Sequence, residues 1–258
     1  MKQCAFCDST ARLSGEHVWS NWIVELLGSE TTGFNFRYRD TETGLIKEWS
    51  APTMHQKTNV VCKRCNQTWM SDIESSARLT LSNIIRDGAP VSLLNQGITS
   101  LATYAFKCAV VANHMSFESS QPFFPSRVRY RFRETLQIPD GVFMWLAHFR
   151  GRAKYSGRFS ALYGNPKLEQ FRHLGFYIFT FVAGRLAFQV FACRWAKLHR
   201  AEKRFPGVVH PDRELWDGAA VQFWPRDGFP VVWPPKLYLG DDTLDQFRDR
   251  WEHTSVVV

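Results

Sequence analysis

The spacing of apolar residues predicts helices in the first 114 residues of the chain. Apolar side chains recur at helical intervals over residues 18–27, and Gly28 is suited to end that helix. A second helix is expected soon after Cys65, with an apolar face and an end at Gly88. That face consists of Trp69, Ile73, Ala77, Leu81 and Ile84. A third helix is predicted over residues 93–114.

From Pro122 onward the pattern changes to the alternation of apolar and polar residues that is typical of strands. A short helix is expected at the end, through Leu244, Phe247 and Trp251. Helices and mainly antiparallel strands in separate parts of a chain are typical of the α+β fold class. The strands are predicted at residues 34–38, 59–61, 142–149, 158–163, 176–182 and 186–193.

Residues 174–195 form one long apolar stretch. A transmembrane helix would have that length, but Gly184 and Arg185 stand near its centre, where a charge is costly in a bilayer. The flanks are rich in Phe, Tyr, Val and Ile, which favour strands. The stretch therefore predicts two buried strands joined by a tight turn, and no contact with a membrane is expected.

Alternating arginines precede these strands. Val128, Tyr130 and Phe132 separate Arg127, Arg129, Arg131 and Arg133. On a strand the arginines would share one face at intervals of about 7 Å, a spacing that could meet successive phosphates of a nucleic acid. The same charges could instead protect an exposed strand from pairing with another chain. The four arginines are therefore a candidate nucleic-acid surface.

Composition and charge limit the class of protein. The chain has 258 residues, of which 45% are hydrophobic and 22% charged, as in ordinary globular proteins. Its net charge is +8, and residues 1–78 hold nine basic and nine acidic residues, so the whole excess lies in residues 79–258. This suggests a nucleic-acid partner, DNA ahead of RNA, although a solvated basic surface would have the same composition. No phosphate-binding glycine loop is present, which argues against a nucleotide cofactor.

Two Cys-x-x-Cys pairs are the strongest chemical feature of the sequence. Cys4 and Cys7 form the first pair, and Cys62 and Cys65 form the second. Each pair presents two sulfurs on a tight turn, and two pairs can complete a tetrahedral zinc site. The long separation of the pairs does not exclude such a site, because the cost of closing a loop rises slowly with its length. A redox dithiol is the alternative, but it would stand near a βαβ pattern, which the sequence lacks.

The remaining cysteines, Cys108 and Cys193, are flanked by apolar residues and are expected to be small buried side chains. The chain opens on Met1 and reaches the first cysteine pair without the apolar segment of a signal peptide. Metal-bound thiols are expected in a reducing compartment, so the sequence predicts a cytoplasmic protein.

Polar residues of a particular order surround the cysteine pairs. Glu16 and His17 stand between the pairs, Asn59 shortly precedes the second pair, and Asn66 follows it directly. Together with the cysteines, these residues resemble the HNH endonuclease family, of the zinc-stapled ββα-metal type. The resemblance covers roughly residues 1–75, under a third of the chain.

The resemblance implies a role for each matched residue. His17 corresponds to the general base that takes a proton from the attacking water, and Asn59 to the residue that orients this base and braces the ββ turn. Glu16 and Asn66 correspond to ligands of a catalytic Mg²⁺ or Mn²⁺. The residue types suit these roles, because imidazole titrates near neutral pH and carboxylate and amide oxygens bind hard cations.

The sequence departs from the family's usual pattern at both ligand positions. Glu16 stands where the family more often has Asp, and Asn66 stands where it often has His. A structural histidine beneath the zinc loop is the alternative to a catalytic His17. Glu74 could reach the site as a further ligand, although a solvated helix face is the favoured interpretation for it and for Asp72.

The sequence as a whole predicts two parts. Residues 1–78 would form an HNH-like, zinc-bound ββα-metal module, and residues 79–258 a basic, aromatic-rich α+β domain that positions nucleic acid or binds a partner or ligand. The expected activity is metal-dependent hydrolysis of phosphodiester bonds in DNA, in phage defence or in a mobile element. The alternative is a zinc-stabilised module without catalysis that binds nucleic acid or protein.

Overall fold

The computed structural model describes residues 3–28, 34–40, 44, 46–51, 57–115, 122–152, 154–163, 174–195, 218–225 and 228–250. The N-terminal elements are β1 (Leu13–His17), α1 (Asn21–Leu27), β2 (Phe34–Asp40), β3 (Ile46–Ala51), β4 (Lys57–Cys62), α2 (Lys63–Cys65), a π-helical turn (Asn66–Met70) and α3 (Ser71–Asp87). The elements that follow are β5 (Val91–Leu93), α4 (Asn95–Asn113), α5 (Ser126–Thr135), β6 (Val142–His148), β7 (Tyr155–Tyr163), β8 (Leu174–Ala183), β9 (Leu186–Trp195), β10 (Ala220–Trp224), β11 (Val231–Trp233) and α6 (Asp241–Asp249). The predicted α+β class is confirmed.

The largest layer within the described residues is a seven-stranded sheet. Its strand order is β10-β6-β9-β8-β7-β2-β3, and every neighbouring pair except β2 with β7 is antiparallel. Two smaller sheets pair β1 with β4 and β5 with β11, again antiparallel. The prediction of a mainly antiparallel β structure is therefore confirmed.

The N-terminal part is not separate from the rest of the chain. The β2–β3 hairpin lies in sequence between β1 and β4, yet it joins the edge of the large sheet through β7. Helix α3 runs across residue 78 without a break, and one buried cluster contains Phe6 and Trp19 together with Phe106 and Phe181. A helix and a shared core thus cross the predicted boundary at residue 78, and the division of the chain into two domains stays a prediction.

Helix α4 lies between the β1–β4 unit and the large sheet. All of its residues from 101 to 113 are buried. A helix that is apolar all round needs neighbours on every side, and α3, β9 and β10 contact it. Phe106 of α4 meets Phe132 of α5 edge to face, with 4.8 Å between ring centroids. Helix α4 therefore links the β1–β4 unit to the large sheet.

Residues 174–195 form the predicted pair of strands, β8 and β9, with the turn at Gly184 and Arg185. Gly184 has a φ of +53°, and a Cβ there would collide with the carbonyl oxygen of Ile85 at the end of α3. Glycine fits because it adopts this φ without strain and lets the helix approach. The Arg185 amide donates to the same carbonyl at 2.9 Å. None of the helices in the described parts of the chain combines the length and apolar character needed to cross a membrane.

Helix α6 covers part of the opposite face of the large sheet. Leu244 and Phe247 are buried there with Ile178 and Phe191 of the strands. This confirms the short helix predicted near the end of the chain. Trp251, which was expected on the same helix face, lies outside the described residues.

The strand predicted through the arginines is wrong, because these residues lie on helix α5. Successive residues of a helix are rotated by about 100°, so alternate arginines do not share a face. Arg127 and Arg131 are exposed, whereas Arg129 and Arg133 are half-buried. The apolar residues of this segment include positions four apart, and Phe132 is fully buried, so the helical period fits the core better than the period of two.

Candidate metal centre and active site

The first cysteine pair lies on an N-terminal turn that is fastened to β4. The Ala5 amide donates to the Val60 carbonyl at 2.7 Å. Phe6, between the two cysteines, is fully buried and packs edge-on against Trp69, with 5.0 Å between ring centroids. A backbone bond and an aromatic contact thus hold this turn against β4 and the start of the helical segment.

The second cysteine pair lies where β4 continues into helix. Cys62 is the last residue of β4 and Cys65 is the last of α2. The Cys62 amide donates to Cys4 Sγ at 3.3 Å, so a backbone group of the second pair orients a sulfur of the first. The chain then kinks at Thr68, which has a non-helical φ of −112°, and the Thr68 hydroxyl donates to the Arg64 carbonyl at 2.8 Å.

The four sulfurs lie close together. All are within 4.8 Å of one another, and Cys7 Sγ is 3.7 Å from both Cys62 Sγ and Cys65 Sγ. A tetrahedral ion with sulfur ligands at about 2.3 Å has sulfur–sulfur edges of about 3.8 Å. A disulfide would require about 2.05 Å, and all four cysteines are free. The cluster can therefore hold a metal ion, as predicted from the sequence.

The cysteine cluster is largely closed to solvent. Cys4, Cys62 and Cys65 are buried, and Cys7 is half-buried. Burial raises the pKa of the Cys65 thiol and also that of Cys7, so a bound cation is needed to keep these groups as thiolates. Four protein ligands leave no open position for substrate, which fits a structural rather than a catalytic metal.

Strands β1 and β4 carry the candidate catalytic residues. Their register pairs Gly15 with Asn59 and His17 with Lys57, with an irregularity after Ser14. His17 is the last residue of β1 and is half-buried, whereas Asn59 is exposed. The structure thus brings the proposed base and the proposed orienting residue onto one antiparallel pair. Their catalytic roles stay predictions.

Asn66 links the helical segment to both strands. It opens the π-helical turn, directly after the second cysteine pair. Its side-chain nitrogen Nδ2 donates to Ser14 Oγ at 3.3 Å, and the Ser14 hydroxyl donates to the Val61 carbonyl at 2.9 Å. The amide oxygen Oδ1 of Asn66 takes no part in these bonds.

Successive strand residues point to opposite faces. On β1 Glu16 points to the inner face, between the exposed Gly15 and the half-buried His17. It is only 3% exposed, and its Oε1 accepts a hydrogen bond from Lys107 Nζ at 3.2 Å. Burial raises the pKa of Glu16; the charge of Lys107 opposes this shift and that of Glu74 adds to it. An enclosed carboxylate in contact with an ammonium group departs from the open cation ligand that the HNH resemblance implies.

Lys107 connects Glu16 to helix α3. Its side chain is 0% exposed, and Nζ lies 2.7 Å from Glu74 Oε1. Burial acts to lower the pKa of Lys107, but the negative charges of Cys108, then of Glu16 and Glu74, raise it well above the ordinary value. The solvated face predicted for Glu74 is wrong, since that side chain is 25% exposed and ion-paired, whereas Asp72 is exposed as predicted. We call Glu16, Glu74 and Lys107 the carboxylate–lysine cluster.

A signal for Lys107 is present in the sequence. It is the one charged residue between positions 98 and 112, in a segment that is apolar on all sides. A lysine on such a helix is expected to be buried, and a buried ammonium needs anionic partners. Glu74 follows Ile73 on a helix whose apolar face is buried. Glu16 could not have been identified as the other partner, because 91 positions separate it from Lys107.

Tyr104 closes the carboxylate–lysine cluster on the side of α1. Its hydroxyl oxygen accepts from Ser20 Oγ at 3.2 Å and from the Ser20 amide at 3.4 Å. Lys107 Nζ lies 5.5 Å from the centre of the tyrosine ring, a cation–π distance. Burial raises the pKa of Tyr104 well above its ordinary value, so the ring adds no charge to the cluster.

Arg129 of α5 faces the first cysteine pair. Its Nε donates to the Phe124 carbonyl at 2.9 Å, and its guanidinium group also bonds to the Ala5 carbonyl. Ala5 lies between the two cysteines of that pair, so Arg129 braces the metal-binding turn from within the protein. This corrects its predicted place in a nucleic-acid surface. For Arg127, Arg131 and Arg133, contact with nucleic acid stays a prediction.

Metal-binding geometry distinguishes the cysteine cluster from the other acidic and histidine-containing regions that the structure describes. Among those residues it is the only group of three or more Cys, His, Asp or Glu side chains close enough to share an ion. The catalytic cation predicted at Glu16 and Asn66 therefore stays a prediction. Comparisons with protein-family models, with curated proteins and with solved structures gave no match.

Proposed function

We propose that the protein is an HNH-like endonuclease that hydrolyses phosphodiester bonds in DNA, with His17 as general base. The observation that carries this proposal is the order and pairing of the N-terminal elements. β1 pairs antiparallel with β4, and the chain continues through the second cysteine pair into α3. This order matches the ββα arrangement of the family that the sequence resembles, and His17 ends the first strand.

Zinc is the metal that best suits the cysteine cluster. Structural zinc sites commonly use four thiolates in a tetrahedron, whereas hard cations prefer oxygen ligands. A zinc ion held by Cys4, Cys7, Cys62 and Cys65 would fasten the N-terminal turn to the junction of β4 and α2. It would brace the strand that carries His17 without touching substrate.

His17 has the chemistry of a general base at neutral pH. A neutral imidazole nitrogen takes the proton of the attacking water while the water oxygen bonds to phosphorus and the sugar oxygen leaves. The leaving oxygen then needs a proton, which a protonated imidazole or solvent can return. Lys57 stands opposite His17 in the strand register and is exposed, so a positive charge lies on the neighbouring strand.

The residues implied for a catalytic Mg²⁺ or Mn²⁺ fit such an ion only in part. Asn66 is half-buried and offers its amide oxygen, a suitable hard donor. Glu16, however, is enclosed and bound by Lys107. We therefore derive no catalytic step through such a cation, and its requirement is a question for the cleavage assay.

Exposed cations around the β1–β4 unit support nucleic acid as the substrate. Arg12 precedes β1, Lys57 begins β4, and Lys63 and Arg64 lie between the cysteines of the second pair; all four are exposed. Contacts between such side chains and phosphates give affinity that does not depend on base sequence. Unlike the arginines of α5, these four lie on β4 or next to β1 and β4 in the chain.

The enclosure of Glu16 favours a second candidate function, a zinc-stabilised module that binds nucleic acid without cleaving it. Such a module would keep the zinc, the paired strands and the exposed cations. It would have lost the acidic ligand that positions a cation in an active HNH site. Its DNA binding would weaken with salt and would not depend on His17.

The deciding experiment is a cleavage assay on supercoiled plasmid with Mg²⁺ or Mn²⁺. It compares wild type with His17→Ala at equal zinc content, and with Asp87→Ala, a control at the last residue of α3 whose side chain is 52% exposed. We expect cleavage by wild type and Asp87→Ala, none by His17→Ala, and DNA binding by all three. Salt-dependent binding without cleavage by any of them would favour the second candidate. Equal cleavage by His17→Ala would reject His17 as the base.

A further inference from the structure

We infer that Lys107 is a built-in cation whose ammonium group occupies the place where Glu16 and Glu74 would otherwise bind a divalent metal ion. Glu16 is then a positioning residue for β1 and not a ligand of a catalytic cation. The inference deepens the proposed function and rests on it only in naming His17 as the residue that is positioned.

The contacts of the carboxylate–lysine cluster carry this inference. Two carboxylate oxygens, one from β1 and one from α3, approach the same nitrogen at 3.2 and 2.7 Å. Oxygen ligands from separate elements are how proteins commonly hold divalent cations. Here the positive charge comes from a third element, helix α4. The two acids are thus neutralised in part by the chain itself.

Displacement of this ammonium group by an ion from solution is unfavourable. Lys107 is fully buried on a helix whose residues 101 to 113 are all buried, so its side chain has no solvated alternative position nearby. Its attachment to the chain means that it loses no translational entropy on meeting the carboxylates, which a free ion does. Removal of the charge would leave Glu16 and Glu74 side by side without a counter-ion.

The same contacts fix the direction of His17. Glu16 and His17 are neighbours on β1, so their side chains point to opposite faces of the strand. A shift of one residue in register would exchange the two faces. Anchoring the Glu16 carboxylate to Lys107 on the inside therefore holds His17 on the other side, where it lies half-buried.

The inference can be tested by Mn²⁺ binding to the zinc-loaded, full-length protein, measured from the electron paramagnetic resonance signal of free Mn²⁺. The proteins are wild type, Glu16→Gln, Lys107→Met and the Lys107→Met/Glu16→Gln double variant. Methionine removes the charge but keeps a flexible chain that fills the space. We expect wild type and Glu16→Gln to bind Mn²⁺ alike. Lys107→Met should gain a site that binds Mn²⁺ at least about ten-fold more tightly than wild type does, and the double variant should lack this site.

Two results would overturn the inference. The first is Mn²⁺ binding by wild type that Glu16→Gln abolishes, because Glu16 would then be a metal ligand. The second is a folded Lys107→Met protein that gains no site. If Lys107→Met folds poorly, its refolding with and without Mn²⁺ replaces the binding titration: rescue by Mn²⁺ is expected, and its absence counts against the inference. Because cleavage is not the readout, nuclease activity can succeed or fail independently.

Discussion

The cysteine cluster and the carboxylate–lysine cluster join distant parts of the chain by different chemistry. The first brings the N-terminal turn to the junction of β4 and α2, and the second brings β1 to α3 and α4. In the first, four neutral or anionic sulfurs surround a place for an ion from solution. In the second, two carboxylates surround a cation that is part of the chain.

This difference means that the two clusters respond to different conditions. A metal-bound cluster stabilises the fold only while the metal is available and the thiols are reduced. A cluster closed by a lysine requires no ligand and responds to pH alone. The metal-binding cluster thus holds the N-terminal turn to β4 only under certain conditions, whereas the carboxylate–lysine cluster holds β1 to α3 and α4 without a ligand.

Loss of the metal should have the largest effect of any change to the two clusters. Cys65→Ser removes one of four sulfur ligands, and structural zinc binding contributes on the order of 10 kcal/mol in small domains. We expect loss of bound zinc and unfolding of the β1–β4 unit, measured by metal analysis and by circular dichroism during heating with and without chelator. Cys193→Ser is the control and should keep its zinc. A Cys65→Ser protein with one zinc and an unchanged melting temperature would contradict a cysteine-bound metal.

Loss of the buried ammonium should have the next largest effect. Lys107→Met leaves two carboxylates without their counter-ion, and breaking a buried ion pair in this way costs roughly 3–5 kcal/mol. Lys107→Arg keeps the charge and should lose less. Urea unfolding at saturating zinc measures the free energy of unfolding of both variants. Equal stability of Lys107→Met and wild type would mean that the carboxylate–lysine cluster contributes nothing to the fold.

Much of the architecture could be predicted from residues that lie close together in the sequence. The two cysteine pairs predicted their own cluster, because the residue type and spacing leave few alternatives. The apolar face of α3 and its end at Gly88 followed from helical spacing, and the turn at Gly184 from a glycine and a charge within an apolar stretch. Each of these features depends on residues close together in the chain.

Features that depend on distant residues were not predictable in the same way. A strand at residues 34–38 was predicted, but nothing local indicated that β2 would pair in parallel with β7. The resemblance implied a metal-ligand role for Glu16, and nothing near Glu16 in the sequence indicated its contact with Lys107 of α4. The α5 segment was mistaken for a strand because its short apolar pattern fits both periods, and packing of Phe132 against Phe106 decides between them.

A smaller effect is expected at the contact between α5 and the first cysteine pair. Arg129→Ala removes the charged donor to the Ala5 carbonyl and should cost about 1.5–3 kcal/mol, whereas Arg127→Ala, at an exposed position of the same helix, should change stability by under about 0.5 kcal/mol. Unfolding in urea and the rate of zinc release to a chelator measure the difference. Equal zinc release by the two variants would show that Arg129 does not brace the metal-binding turn.

The smallest effect expected is the response of the carboxylate–lysine cluster to alkaline pH. The pKa of Lys107 is raised in the folded protein, so its stabilising contribution is complete at neutral pH and is lost as the pH rises past the value for an unfolded lysine, about 10.4. The folded state then holds a proton that the unfolded state has lost, and stability should fall by about 1 kcal/mol by about pH 11.

Lys107→Arg separates this loss from the titration of other groups. A guanidinium group keeps its proton in both states across this range, so the variant should lack the Lys107 share of the alkaline loss while every other group titrates as before. Urea unfolding of both proteins at a series of pH values gives two curves, whose separation should change by about 1 kcal/mol between about pH 9 and about pH 11. Parallel curves would mean that folding does not raise the pKa of Lys107. The Lys107 ammonium group would then gain nothing from the negative charges of Cys108, Glu16 and Glu74, and the carboxylate–lysine cluster would hold β1 by packing alone.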